Sequence, residues 1–384
     1  MEQPLLSRFE AYIKQHSLAD SDDKILLAVS GGVDSMVMMA LFAASPYRNL
    51  GVAHCNFQLR GDESYEDEKL VEQAAAKLGI PFYNRRFDTE GEMARTGESV
   101  QIAARRLRYE WFAEPSTQEG YTVVAIAHHA DDSIETFFIN LFRGTGLKGL
   151  TGISKTNGRV IRPLLFASRR EIMDYAHANN VEFREDSSNR STKYLRNKIR
   201  LGLVPRIKEI NPHFTTVMGR NVQRLTDAQM FINAAMEKIR QQVEEKRDGL
   251  TIIHADRIGE EYPESYVIFE LLNNYGFKGD VVDSLCHTLR EGGSGKRFYS
   301  RDYVAYTDRG NIIVAPIEEN DTCSVQIERS MHKAFAGNSG YFFVVLDIDN
   351  VESLHVPEHV APPHATKRQF PLALRRWNEG VWFV

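Results

Sequence analysis

Apolar residues along this chain follow two rhythms, and the change from one to the other marks the first turn of interest. Ile25, Leu26, Leu27, Ala28 and Val29 run together with no polar alternation, as expected of a strand buried on both faces of a parallel sheet. Ser30-Gly31-Gly32 breaks the run, and from Ser35 the apolar positions Met36, Met39, Ala40 and Ala43 take helical spacing. The same exchange recurs downstream. Strands are expected at Leu50–Asn56, Phe82–Phe87, Thr122–Ala127 and Arg159–Ile161, and helices at Ser64–Leu78, Ser99–Glu114, Asp132–Phe142 and Ser168–Asn179, after a leading amphipathic helix marked by Leu5, Phe9, Tyr12 and Ile13. Such alternation predicts an α/β fold with a doubly wound, mostly parallel sheet. Ligands of these sheets lie beyond the carboxyl ends of the strands, where three polar clusters fall: Ser30–Ser35, His54–Arg60 and His128–Glu135.

Beyond Pro205 and Pro212 the pattern changes. A long helical stretch, Phe214–Lys246, leads into helices around Ser265–Asn274 and Asp280–Leu289 and a hairpin turning at Asp308–Asn311. Three domains are expected: residues 1–213 with the sheet, a helix-rich mixed domain at 214–317, and, after a linker at Glu318–Asp321, a small, incomplete β-rich unit at 318–384.

The chain has 384 residues, 42% hydrophobic and 26% charged, and its net charge of −5 places any nucleic-acid surface in a local patch. Cys55, Cys286 and Cys323 are far apart, which disfavours a disulfide framework or zinc site and suits the cytoplasm. The amino terminus does not read as a secretion signal, and no 18-residue apolar run exists, so no membrane association is expected. Composition leaves the oligomeric state open, a homodimer included.

Glycines between a buried strand and a helix let backbone N–H groups turn onto an anion, and the helix end favours a phosphate there. Ser30, Gly31, Gly32, Val33, Asp34 and Ser35 therefore form a candidate phosphate cradle, although SGG alone also suits an ordinary βα turn. Asp34 stands where a lysine would be expected, and a carboxylate beside phosphates calls for a cation; Asp34 is read as a Mg²⁺ contact and the Ser35 hydroxyl as a donor to phosphate oxygen. Asp132 and Glu135 share a helical face, suited to Mg²⁺, to an ammonium group or merely to the positive helix end. His128 and His129 lack a third ligand spaced for zinc. Gly144-Thr145-Gly146-Leu147-Lys148-Gly149 matches a dinucleotide motif in letters but follows a helix; a turn bringing Arg143 and Lys148 to a polyanion fits better. Gly292–Arg297 is read as a loop. Arg105 and Arg108 share a face that binds phosphate or is simply solvated. From Arg184 to Glu209, eight lysines and arginines stand against three acids, with Asn189, Tyr194, Arg196, Asn197 and Arg200 interleaved, a patch suited to RNA or a charged helix surface.

SGGVDS at 30–35 resembles the signature of the PP-loop ATP pyrophosphatases. Together with AHCNFQLRGDES at 53–64, AARRLRY at 103–109, AHHADDSIETFFINLFRGTGLKGL at 127–150, RPLL at 162–165 and EDSSN…YLRNKIR at 185–200, it resembles one family in that group, the bacterial tRNA(Ile)-lysidine synthetases. Phe57 departs from the pattern, a second histidine being common there. The closing RRWNEGVWFV resembles the approach to the family's C-terminal module without its remaining strands, so a fragment is expected. The resemblance implies ATP and Mg²⁺ as cofactors, L-lysine as co-substrate, and tRNA(Ile) with a CAU anticodon as partner. The wobble cytidine would be adenylated, and lysine would then displace AMP at C2 to form lysidine. It further implies that Asp34, Arg105 and Arg108 serve phosphoryl transfer, that Asp132 and Glu135 hold the lysine ammonium, and that His129 takes the amine proton. The rival readings are another PP-loop adenylating enzyme, such as a tRNA thiolase, and a noncatalytic RNA-binding protein with a relict loop. Scattered cysteines speak against the first and intact acidic residues against the second.

Overall fold

Strand β1, Ile25–Ala28, sits in the middle of the first sheet, and its side chains show why its sequence is apolar without alternation. Ile25 and Leu27 enter one core layer while Leu26 enters the other, and all three are fully buried. The computed structural model describes residues 4–185, 195–247 and 249–317, and the backbone of four short strands beyond them. In chain order the first part comprises α1 (Leu5–Gln15), β1, α2 (Val33–Ala44), β2 (Leu50–Asn56), α3 (Asp62–Lys77), β3 (Phe82–Arg86), α4 (Thr89–Thr96), α5 (Val100–Glu119), β4 (Val123–Ile126), α6 (Ala130–Arg143), β5 (Thr156–Asn157), β6 (Val160–Ile161) and α7 (Arg169–Ala178). It continues through α8 (Leu195–Lys198), a π-helical turn (Ile199–Leu203), α9 (Val204–Ile210) and α10 (Phe214–Val243).

The sheet order is β3-β2-β1-β4-β6-β5, parallel except for the β5–β6 pair. Helices cover both faces: α1, α2, α3 and α7 pack with Ile25, Leu27, Val52 and Ala125, whereas Leu107, Trp111 and Phe112 of α5 pack with Leu26, Ala53 and Val124. The expected doubly wound architecture is thus present. Successive strands run outward from β1 to β3 before β4 returns to the other side of β1, and that reversal opens a crevice between the carboxyl ends of β1 and β4.

Some element boundaries differ from the sequence expectation. Helix α5 continues past Pro115 to Glu119, where Gly120 ends it in the left-handed region; the hydroxyls of Ser116 and Thr117 donate to the carbonyls of Phe112 and Ala113 across the turn that proline weakens. Helix α10 stops at Val243, and Glu244–Arg247 becomes strand β7, paired with β8 (Leu250–His254). Short α4, capped by Asp88, was not anticipated.

The chain divides into two compact units, Met1–Ala235 and Met236–Val384, a division that falls inside α10. The second unit contains α11 (Glu264–Asn273), α12 (Gly279–Arg290), β9 (Arg297–Tyr299), β10 (Tyr303–Asp308) and β11 (Asn311–Pro316). Its five-stranded sheet, in the order β7-β8-β11-β10-β9, is antiparallel throughout. Residues Asp308–Asn311 form the hairpin turn, with Arg309 and Gly310 at positive φ. Gly292–Arg297 is a loop leading into β9, as expected. The expected linker and most of 318–384 lie outside the described residues.

Tight packing of β2 against the chain before β4 provides a test. A Cβ on Gly51 would lie 2.1 Å from the Tyr121 hydroxyl and 2.4 Å from its ring. Gly51→Ala is expected to cost about 1–3 kcal/mol in urea unfolding, as overpacked cores do. The penalty should shrink in a Tyr121→Leu background, a coupling that a double-mutant cycle reads directly.

Candidate functional site

The crevice is lined first by the turn after β1. Gly31 holds φ at +90°, a conformation suited to glycine, and a Cβ there would meet that of Asp67 at 3.3 Å. The turn is braced from within and behind. Ser35, 5% exposed, accepts from the Ser30 amide (3.0 Å) and donates to the Gly32 carbonyl (2.9 Å), while the Arg184 amide donates to the Gly31 carbonyl (3.0 Å). His54 donates from Nδ1 to the Val29 carbonyl at 2.8 Å. Ser35, expected to donate to a phosphate, therefore shapes the loop instead, because its short side chain at the start of α2 is satisfied by loop backbone. Val33 opens α2 with its side chain buried, so the helix amino terminus faces the crevice through its backbone.

Asp34 extends from the first turn of α2. Its Oδ2 accepts from Arg169 Nη1 at 2.5 Å, and its Oδ1 is buried with no hydrogen-bond partner. An orphaned, hard anionic oxygen beside a phosphate cradle fits Mg²⁺, which often takes one protein carboxylate and completes its shell with phosphate oxygens and water. Among the described residues no group of three or more His, Cys, Asp or Glu side chains is placed to hold a metal. Asp34 would thus be its protein contact.

On the other lip, α6 carries Asp131, Asp132 and Glu135. The expectation that Asp132 and Glu135 converge is met, but both are already paired. Glu135, 2% exposed, accepts from Arg196 Nε (2.7 Å) and Arg200 Nε (2.5 Å). Asp132 accepts from the His129 amide (3.1 Å), Arg196 Nη2 (3.4 Å) and Arg200 Nη2 (3.2 Å). Burial works to raise the Asp132 pKa, but His129 and Arg196 outweigh it and hold the carboxyl below its ordinary value. Asp131 behaves likewise, held down by the Arg169 amide and Lys208. Two carboxylates this deep require fixed countercharge, which the chain supplies itself.

Accordingly, the basic stretch 184–209 is only partly a surface. Arg184 binds Asp67 and Glu66, Arg196 and Arg200 hold the α6 acids, and Lys208 holds Asp131. Lys198 and Arg206 are exposed. Asn197 has partners within the structure, and Asn189 and Tyr194 lie outside the described residues.

The remaining predicted residues separate. Arg108 lies over the Phe57 ring (5.4 Å) near the end of β2, whereas exposed Arg105 lies over Tyr109 (5.0 Å), so the two guanidiniums turn to different aromatic partners instead of forming one clamp. Arg143 and Lys148 are exposed around a glycine turn that follows α6, not a strand. His129 is 1% exposed, and both ring nitrogens are buried without hydrogen-bond partners; Nε2 lies 3.8 Å from Asp34 and 3.4 Å from Asp132. Neither nitrogen reaches the crevice surface, so the structure does not support His129 as the base for an incoming amine. Burial pushes the Cys55 thiol up to about 12, removing it as a thiolate nucleophile near neutral pH. Sequence reasoning overlooked Arg169 and assigned no role to Arg162 within RPLL. Arg169 follows Ser168, whose hydroxyl and Glu171 form a capping box that fixes the start of α7.

Two measurements test these charges. Glu135→Gln should lower stability by about 1–3 kcal/mol, the cost of leaving part-buried guanidiniums underpaired, with part recovered by adding Arg200→Met. Burial also lowers the pKa of His54 and His128, the latter to about 4. Their unfolded forms take up protons first, so stability present above the ordinary histidine pKa of about 6.5 falls as pH drops, for His128 by up to about 1.4 kcal/mol per pH unit until about 4, with His54 adding in the same direction. Urea unfolding across that range should show this slope, and His128→Gln should reduce it.

Comparison with known proteins agrees with this geometry. A family model described as the PP-loop domain matches residues 2–207, and one described as the TilS substrate binding domain matches residues 245–317. A tRNA(Ile)-lysidine synthase of Parabacteroides distasonis is 33% identical over 383 residues, covering 99% of this chain and 85% of that protein. The one of Bacteroides thetaiotaomicron is 36% identical over 310 residues, 81% of this chain and 71% of that protein, and the one of Chlorobaculum tepidum is 43% identical over 223 residues, 57% and 66% respectively. With a nucleotide-type turn at the switch point of its sheet and this similarity along nearly its whole length, the chain belongs to the tRNA(Ile)-lysidine synthase family.

Proposed function

We propose that the protein joins free L-lysine to C2 of the wobble cytidine of tRNA(Ile) with a CAU anticodon, forming lysidine at the expense of ATP. The cytosine C2 oxygen attacks the α-phosphorus and pyrophosphate leaves; the lysine ε-amine then adds at C2 and AMP departs with the oxygen. The observation that carries this reading is the glycine turn beside an orphaned Asp34 oxygen, facing the charge cluster of α6 across the crevice. Phosphoryl transfer asks mainly for positioning and charge neutralisation, which is what such a crevice supplies.

The backbone of Ser30, Gly31, Gly32 and Val33 would receive the phosphates. Mg²⁺, when bound, would neutralise phosphate charge, and Asp34 would hold it. Arg108, near the strand ends, is better placed than Arg105 to meet the nucleotide. Asp132 and Glu135 would seat the lysine ammonium by exchange with Arg196, the more exposed of their two guanidiniums at 39% against 25%. Arg143 and Lys148 are exposed for RNA backbone, and Asn189, Asn197 and Arg200 would add further tRNA contacts. Residues 1–213 would act as the catalytic domain and 214–317 as a tRNA-contacting one. The setting would be the cytoplasm, where ATP, lysine and tRNA meet; among the described residues no helix is long and apolar enough to cross a membrane.

Incubating the protein with ATP, labelled lysine and CAU-anticodon tRNA tests the activity, and lack of lysine incorporation by folded protein overturns it. Asp34→Ala is expected to lower pyrophosphate release at least about a hundredfold while filter binding of tRNA is retained. Loss of tRNA binding alone would remove Asp34 from the phosphate site.

A further inference from the structure

Arg162 and His128 have no part in the chemistry described so far. His128 is the second residue beyond β4, as Ser30 is the second beyond β1, and Ala28 pairs with Ile126; the backbone at His128 therefore stands level with the glycine turn at the crevice. A parallel bridge between His129 and Leu164 holds the chain after β4 beside the chain after β6. Arg162 Nε lies 3.1 Å from His128 Nδ1. A guanidinium has only N–H groups to offer, so Nδ1 must present its lone pair, and in the neutral ring the single proton must reside on Nε2. Arg162 has little freedom to turn away: it is 4% exposed, its Nη1 donates to the Ser154 carbonyl at 2.8 Å, and its amide donates to the Lys155 carbonyl at 3.0 Å. Burial first, then the charges of Arg162, Arg196 and Arg108, keeps the ring neutral against the opposing pull of Asp132.

We propose that Arg162 is a positioning residue that fixes His128 as its Nε2–H tautomer, and that His128 is an uncharged hydrogen-bond donor to a non-bridging α-phosphoryl oxygen during adenylation. The proposal rests on the function given above. The proton stays on Nε2 throughout, and no bond to the imidazole forms or breaks. A neutral donor suits the step because its bond strengthens as charge gathers on the oxygen, whereas a charged ring would also grip the ground-state triphosphate. The RPLL segment thereby gains a role in the chemistry, since its arginine sets the tautomer and its leucine fixes the strand that carries the imidazole.

Two substitutions at one position supply the test, since a glutamine amide nitrogen falls near the place of Nε2 and an asparagine amide nitrogen near that of Nδ1. His128→Gln should keep pyrophosphate release within about tenfold of the parent, whereas His128→Asn should lose about a hundredfold or more in kcat with KM for ATP little changed. Nitrogen NMR of the histidine rings in the ligand-free protein should show His128 as the Nε2–H form, turning to a tautomer mixture in Arg162→Met. Equal activity of the two His128 variants, or an Nδ1–H ring in the parent, overturns the proposal. If Arg162→Met does not fold, the parent spectrum and the His128 pair decide alone. The spectrum needs no substrate, so a protein that forms no lysidine yet shows the fixed tautomer would sink the activity and leave the positioning role standing.

Discussion

Buried negative charge at the end of a parallel sheet has to be answered by positive charge from the same chain, and this constraint organises the whole crevice. Asp34, Asp67, Asp131, Asp132 and Glu135 all come from the first 135 residues. Arg169, Arg184, Arg196, Arg200 and Lys208, all from residues 169–208, pair with them, and Arg60 adds a nearer second partner to Asp67. The later segment thus closes over the earlier one through charge, with Arg184 also tied through its amide to the turn that holds the glycines. A doubly wound sheet would fold without these acids. Their cost in desolvation makes sense only for a site that must handle charge.

Such pairing keeps the crevice nearly neutral until a ligand arrives. Under the proposed function, a polyphosphate entering beside Asp34 would meet Arg169 already aligned by α7, and an ammonium entering beside Glu135 would meet carboxylates whose desolvation has been met by the fold. Exchange of one cation for another at the same oxygens costs far less than exposing a bare buried carboxylate. In this way preformed ion pairs lower the penalty of binding, although each contributes little to stability by comparison with an apolar contact.

The layers of the fold were legible because they rest on local periodicity. Continuous apolar runs at β1 and β4 and helical spacing in α2 and α6 identified strands and helices whose order implied the parallel sheet and the location of its crevice. Lengths were less legible where side chains compensate for backbone: Ser116 and Thr117 carry α5 past Pro115, and Glu244–Arg247, all polar, becomes a strand because β8 offers it an edge. The site was legible as a set of residues but not as a set of contacts. Arg196 and Glu135 are 61 positions apart, so nothing local marks their pairing. The density of cations at 184–209 suggested RNA, whereas half of those cations face buried acids. Likewise, the hydroxyl of Ser35 could not be aimed until the turn around Gly31 was known.

Neighbouring histidines show how far identical residue types diverge when their surroundings differ. His129 turns inward among Asp34, Asp131 and Asp132, with no hydrogen-bonded partner at either nitrogen. His128 turns the other way, to a guanidinium that can only donate. Adjacent side chains leaving a strand point to opposite sides, so the backbone sets the divergence before any interaction contributes. The proton on His128 is consequently located by Arg162, 34 positions away, while the imidazole of His129 lies 3.4 Å from Asp132, the nearest of the carboxylates around it. At a crevice built on opposed charges, the tautomer of an imidazole therefore depends on strand placement as much as on residue type, and arginine, which keeps its own protons, is a partner that leaves a neutral ring with its proton on Nε2.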